Sequence, residues 1–495
     1  MTPLTCSTQS VEEACKMAAW EGKAVLLSEP VPHTGEVFCD EALRWAARAS
    51  VCRQFAWFWS SPHDACWAGI GTAARIIGDR EVCVTDAAGI PVPVGTESAG
   101  GKGKGRFAWG DEALADLFSR VVGHGTPVCV GTFAFGEGGA MGEEWQGLPR
   151  TFLTVPEFVI RDGSPTSNGT DTAATHPEVI WNALVLPGDG PEVVRARQAT
   201  AFVRLGELRD APPVHEDWAE TLVRSYPKPD AYMSAVCSVV DLIKAGEAEK
   251  VVLARSVRLQ GEGTFDLERM LRALLPANPS CIVFACAAPF AEGAPVFFGA
   301  TPELLLRSDG MQIESLCLAG TIGRTGTVQE DEISAQALLS DPKNRMEHAL
   351  LADEVEQVFR LVCEDVQRDV VPRKLFLGNL THLATRVSGR VQEGRRFLEI
   401  LGDLHPTPAV GAVPREIIGA IPAIEGIERG WYAGPVGWTD GVGGEFALAL
   451  RCGLTRGHQA TLYAGAGIVA ESDPRAELQE TRLKFRSMLD VLLRV

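Results

Sequence analysis

The sequence predicts an α+β protein, and three observations carry that reading. The chain has 495 residues, 46% hydrophobic and 22% charged, a globular composition that allows a core larger than the roughly 100–200 residues of a common domain. From about Tyr226 onward, short β-rich stretches alternate with good helical ones. The strand runs are linked by turns and interrupted by long helices, a pattern that favours α+β over a doubly wound sheet.

Each element follows from local pattern. Gly95–Arg106 is rich in Gly and Lys, and Arg161–His176 is polar with little to bury; both read as loops or insertions. A further break falls at Asp210–Val214. Lys250–Val257, Ile282–Ala287 and Phe446–Arg451 read as strands from their β-branched and apolar runs. Glu330–Val362 and Arg475–Val495 read as amphipathic helices from apolar spacings of three and four. There is no repeat of fixed period and no heptad pattern.

Charge and cysteine usage narrow the function classes. The 46 basic and 64 acidic residues leave a net charge of −18, a field that repels nucleic acid and anionic membrane, so neither is expected as a partner. An anionic substrate would then need a locally basic or metal-bearing site. The 13 cysteines run from Cys6 to Cys452 without Cys-x-x-Cys pairs or zinc spacing, which fits reduced thiols and a cytoplasmic location. Met1–Cys15 has neither the apolar core of a secretion signal nor an Arg-rich transit pattern. The apolar run Cys281–Ala291 falls short of the about 20 residues that span a bilayer.

Several motifs lead nowhere. Gly136–Gly142 lacks the dinucleotide glycine spacing, and Gly100–Gly105 lacks the Lys-Ser/Thr end of a phosphate loop. No nucleophile elbow is present. The polar residues of the C-terminal half are more informative. After Ser472-Asp473-Pro474, a cap and first-turn pair, Glu477, Glu480 and Lys484 lie on one helical stripe. That stripe reads either as a solvated face or as a carboxylate face. Glu347, followed by His348 and preceded one turn earlier by Asn344, is a second acidic helical position. Carboxylates converging from two helices would suit Mg²⁺, which prefers hard oxygen ligands and keeps several waters. Gly465-Ala466-Gly467, ending a strand, could expose successive N–H groups as an anion nest. Arg451, at the end of an apolar strand, could grip a carboxylate with its fork of donors or tie to a surface acid. Lys250, opening its strand, could equally be solvated, and Glu303 follows Thr301-Pro302.

Read in order, these stretches resemble the chorismate-utilising enzymes, the family of isochorismate, salicylate, anthranilate and aminodeoxychorismate synthases. The matching residues are Lys250–Arg255 (KVVLAR), Gly299–Leu304 (GATPEL), Leu318–Thr321 (LAGT) and Glu347-His348. They continue with His382-Leu383, His405–Val410 (HPTPAV), Arg429–Trp438 (RGWYAGPVGW), Ala464–Ala470 (AGAGIVA) and Glu480–Lys484 (ETRLK). The resemblance implies large antiparallel β-sheets flanked by helices, with the site in a cleft between them. It makes residues 226–491 the chorismate-binding catalytic region and 1–215 a variable N-terminal part completing the sheets. Lys250 stands where anthranilate-type relatives carry Gln, and Ala319 where aminodeoxychorismate synthases carry a nucleophilic Lys, so water is the expected nucleophile. Ala409 stands where salicylate synthases tend to have Thr, which points to the isochorismate group. No glutamine amidotransferase partner is implied, and a monomer is expected.

The mechanism the resemblance implies adds water at C2 of chorismate while the C4 hydroxyl leaves. Lys250 would be the general base, neutral for part of the time through burial or a nearby cation, and Glu303 the general acid, kept protonated in a shielded site. Glu347 and Glu480, with Glu477 acting through water, would hold Mg²⁺. Gly320, Thr321, Tyr432, Arg451, Gly465, Ala466, Gly467 and Lys484 would bind substrate, with His382 either supporting the site or satisfied structurally. Asn344 occupies a position that is acidic in several relatives, which leaves the metal's outer sphere open. A salicylate synthase and a non-catalytic chorismate-binding relative are the alternatives; retention of Lys250, Glu303 and both metal glutamates argues against the latter.

Overall fold

The computed structural model describes residues 8–31, 39–62, 66–78, 82–92, 105–138, 141–161, 178–210, 219–324, 326–377 and 380–493. Most of Gly95–Arg106, Arg161–His176 and Asp210–Val214, read above as loops and a break, lies outside them. The architecture is α+β, built on a 13-stranded and an 11-stranded sheet. Pairing is antiparallel apart from Val25–Val31 against Val121–Val122. No helix among the described residues is long and apolar enough to cross a membrane.

Both halves of the sequence contribute to each sheet. In the larger one, Ala219–Tyr226, Lys250–Glu262, Gln459–Ile468, Cys452–Arg456, Val296–Thr301 and Ile282–Ala287 lie side by side and continue into N-terminal strands from Ala56–Ser60 onward. In the smaller one, Gln312–Gly323 and Leu380–Val391 pair along most of their length, and Pro435–Thr439 joins the N-terminal strand Cys129–Phe133. Residues 250–257 are buried throughout, which explains their nearly unbroken apolar run.

Three sequence expectations shift in position. The strand read as Lys250–Val257 runs on to Glu262, because its polar distal half pairs with Ala219–Tyr226. The helix read as Glu330–Val362 is two helices, Val328–Ser340 and Pro342–Val362. The break falls at Asp341, whose residue type before proline disfavours helical backbone and whose carboxylate caps the second helix through the Asn344 N–H at 2.8 Å. The strand read to Arg451 ends at Leu448, leaving Arg451 in the connection that follows.

The C-terminal helix, Pro474–Leu492, is capped by Asp473, which accepts from the Ala476 N–H at 2.8 Å. It buries Leu478, Phe485, Met488, Val491 and Leu492, each contributing about 1.5–3 kcal/mol of apolar burial. Arg255 reaches from the Lys250 strand to Thr481 Oγ1 at 3.1 Å and lies over the Phe485 ring. The helix is thereby fixed with one polar face turned along the sheet.

Candidate active site

Two of the points where the chain passes between the two sheets carry a candidate residue. Val296–Thr301 belongs to the larger sheet and Leu304–Ser308 to the smaller, so Pro302-Glu303 is the first crossing. Gly444–Leu448 belongs to the smaller sheet and Cys452–Arg456 to the larger, so Arg451 lies in the second. One cavity lies at these crossings, lined by Lys250, Glu303, Gly320, Thr321, Glu347, His382, Tyr432, Arg451, Gly465, Gly467, Glu477, Glu480 and Lys484. Residues more than 200 positions apart in the chain are brought together there.

Lys250 is 1% exposed, and its Nζ donates to Glu347 Oε1 at 3.0 Å. A solvated strand-start lysine is therefore excluded. Glu347 projects from the Pro342–Val362 helix, while His348 turns the other way, buried with Nε2 2.7 Å from Thr385 Oγ1. Gly467 makes the Lys250–Glu347 contact possible: a Cβ there would sit 2.6 Å from Glu347 Oε1 and 2.8 Å from Lys250 Cε. Glu303 is buried, and that burial pushes its carboxyl up to about 8 against the lowering pull of Lys250, Lys484 and Arg451. It is thus a protonated acid at neutral pH.

Arg451 adopts the left-handed backbone region with φ of +44°, which costs about 1–2 kcal/mol outside glycine. Its Nη2 donates to His382 Nε2 at 2.7 Å, and His382 Nδ1 lies 3.1 Å from Thr321 Oγ1. A guanidinium only donates, so Nε2 is the acceptor and the ring proton resides on Nδ1. Burial and the Arg451 charge hold His382 well below its ordinary value, keeping it neutral. His382 is thus a satisfied link that orients Arg451. Gly320 forms a bulge in its strand with φ of +71°, where a Cβ would crowd Asn344 Oδ1 at 3.2 Å.

The Gly-Ala-Gly stretch is not a nest. Gln459–Ile468 is an extended strand whose residues 464–468 pair with the Lys250 strand along one edge. Alternate residues of a strand face opposite sides, so Gly465 and Gly467 face the cavity while Ala466 is buried in the core. The Ala466 side chain belongs to the packing behind the site, so only its backbone is left to meet a substrate. Gly465 leaves room for Tyr432, whose hydroxyl lies 2.9 Å from where a Cβ would be. The Tyr432 ring stacks on Tyr463 at 5.1 Å, and Tyr463 donates to Glu144 Oε1 at 3.3 Å. Tyr463 also lines the cavity, and Glu144 lies behind it; neither was among the residues the sequence singled out for the site.

The acidic side is less convergent than the sequence suggested. Glu480 holds Lys484 at 2.8 Å, and both line the cavity rather than a solvated face. Lys484 Nζ also donates to Gly465 O at 2.9 Å, and Glu477 Oε1 accepts from Ser472 Oγ at 2.7 Å. Among the described residues, no three His, Cys, Asp or Glu side chains are grouped to hold a metal. The donor chemistry nonetheless fits Mg²⁺, which uses one or two carboxylates together with water and substrate rather than an all-protein cage.

Comparison with known proteins follows this geometry. The sequence model of the family described as chorismate binding enzyme matches residues 94–493. Isochorismate synthase MenF of Bacillus subtilis is 32% identical over 368 residues, 74% of each chain. The salicylate biosynthesis isochorismate synthase of Pseudomonas aeruginosa is 32% identical over 399 residues, 79% of this chain and 80% of its own. The solved structure of the menaquinone-specific isochorismate synthase from Escherichia coli superposes with a TM-score of 0.72 at 22% identity, covering 98% of this chain and 100% of that one.

Proposed function

This chain belongs to the chorismate-binding enzyme family, and from that premise we propose that it converts chorismate to isochorismate with Mg²⁺ as its cofactor. The observation that carries the reading is that a buried lysine, Lys250, and a buried glutamic acid, Glu303, line one cavity, with burial raising the carboxyl of Glu303. An acid and a base held in different environments suit a reaction that takes a proton from one oxygen and delivers one to another.

In its neutral form, Lys250 accepts at Nζ the proton of the water that adds at C2. Glu303 donates its proton to the C4 hydroxyl, which departs as water while the ring double bonds shift. One water enters and one leaves, so the product is an isomer of the substrate. Arg451, oriented through His382, and Lys484 offer donors to the substrate carboxylates. Glu347 and Glu480 would hold Mg²⁺, with Glu477 behind them, and the ion would neutralise ring-carboxylate charge. These cations answer the net charge of −18 at the point where an anion must bind.

The test is to incubate the protein with chorismate and Mg²⁺, with and without EDTA, and separate the products. A chorismate–isochorismate mixture that EDTA abolishes is expected. Pyruvate with salicylate would move the chain to salicylate synthesis, and unchanged chorismate would refute the reading. In the same assay, Glu480→Ala should raise the Mg²⁺ concentration for half-maximal rate at least tenfold; an unshifted titration would remove it as a ligand. Calorimetric Mg²⁺ binding should weaken in parallel.

Gly467→Ala should lower kcat about 10²-fold, the scale of a 1 Å misplacement, since its methyl displaces both Lys250 and Glu347. Gly465→Ala, which crowds Tyr432 instead, should chiefly raise KM. Equal kinetics for the two variants would contradict the assignment of facing groups.

A further inference from the structure

The edge of the Lys250 strand contains a gap filled by side chains. Along one edge the strand pairs with Gln459–Ile468. Along the other, Lys250 and Val251 pair with Val413 and Ala412, while Ser256–Glu262 pairs with Ala219–Tyr226. Between these two partners no strand among the described residues covers Val252 and Ala254. The backbone bond to the neighbouring loop runs from the Val252 N–H to Gly411 O at 2.8 Å. There, Arg429 Nη2 donates to Val252 O at 2.9 Å, and the Ala254 N–H donates to Glu425 Oε1 at 2.6 Å. Two side chains thus take the acceptor and donor places of a missing neighbouring strand.

The same guanidinium reaches further. Arg429 Nη1 donates to Val410 O at 2.6 Å, Nε donates to Glu425 Oε2 at 3.0 Å, and Nη2 also bonds Glu425 Oε1. The Phe135 ring lies 4.1 Å from the guanidinium carbon. Both charged residues are 3% exposed. Val252 and Val410 are walls of the cavity, and Val252 follows Lys250 by two residues on the same face of the strand. A planar fork of five donors holds carbonyls of two separate segments and a carboxylate at once in a fixed geometry, whereas a backbone N–H offers one donor and a lysine ammonium three that rotate on a flexible stem.

Stability alone gives little reason for this arrangement. Desolvating two charges offsets most of their attraction, and apolar residues of similar volume commonly serve as well. We propose that Arg429, held by Glu425, is a positioning residue for Lys250: it clamps the Lys250 strand to the Thr407–Gly411 loop and so sets where Nζ stands in the cavity. This rests on the reading of Lys250 as base, and the test separates the two.

Arg429→Lys keeps the charge but loses the fork, and the double variant Glu425→Leu/Arg429→Met removes the pair without leaving a lone charge. Both should fold, judged by circular dichroism and cooperative melting, with kcat lowered at least tenfold and KM for chorismate within threefold of wild type. In a Lys250→Ala background, Arg429→Lys should change the residual rate less than twofold, because its effect passes through the absent amine. Folded variants with kcat within threefold of wild type, or a full effect persisting without Lys250, would overturn the proposal. Failure of both variants to fold would also overturn it, since the pair would then serve the fold rather than the site. A wild-type protein inert towards chorismate would instead defeat the functional reading.

Discussion

Lys250→Ala is expected to lower the rate of isochorismate formation by about 10²–10⁴, the range supplied by a positioned general base. The fold should survive, because the change leaves Glu347, which is 17% exposed in its side chain, in contact with the open cavity rather than sealed in the core. Chorismate binding should change far less than kcat, since the carboxylate donors, Arg451 and Lys484, are untouched. Near-normal turnover by a folded Lys250→Ala protein would remove Lys250 from the chemistry. Loss of cooperative melting would assign it to the fold instead.

Glu303→Gln should lower kcat by a comparable factor, about 10²–10⁴, and should also change the pH profile. Burial raises Glu303 to about 8, so the carboxyl is protonated below that pH and ionises above it. A general acid must begin protonated. Wild-type kcat should therefore hold up through neutral pH and fall as pH rises through about 8. Gln cannot ionise, so the variant's residual rate should lose that alkaline limb. If the limb persists in Glu303→Gln, another group causes it, and the acid must be sought elsewhere. Linkage gives stability the same sign: a carboxyl raised by burial stabilises the fold at low pH, and that contribution fades as pH rises towards 8.

Much of this site was legible because its residues lie in short stretches that resemble those of the chorismate-utilising enzymes. KVVLAR is too apolar for a surface strand, and a lysine opening it had either to be solvated or to serve a purpose; 1% exposure decides that. Glu477, Glu480 and Lys484 share a stripe by helical spacing alone. Whether that stripe met water or a cavity depended on which way the Pro474–Leu492 helix rolls. Its roll is set by burial of Leu478, Phe485 and Met488 and by Arg255 reaching Thr481. Neither contact has a local signature.

The misreadings share a cause. Gly465-Ala466-Gly467 looked like a nest because glycines permit unusual backbone, yet here they remove side chains from an ordinary strand so that Lys250, Glu347 and Tyr432 can approach. Arg451 looked like the end of a strand, whereas the chain turns through φ of +44° to cross between sheets. The long helix breaks at Asp341-Pro342, because the position before a proline disfavours helical backbone.

What the sequence determined by itself was the α+β class, the main strands and helices of the C-terminal half, and the inventory of acid, base and carboxylate groups. The class and the elements follow from periodicity, which acts over a few neighbouring positions, whereas the roles of Lys250, Glu303, Glu347 and Glu480 are those the resemblance to the chorismate-utilising enzymes implies. The tertiary structure alone decided that Lys250 meets Glu347, that Glu303 is buried beside the cavity with its carboxyl raised, and that Arg429 and Glu425 stand in for a strand. Each of these depends on burial and on contacts between segments far apart in the chain. Desolvation and long-range pairing are properties of the assembled sheets, and no window of sequence contains them.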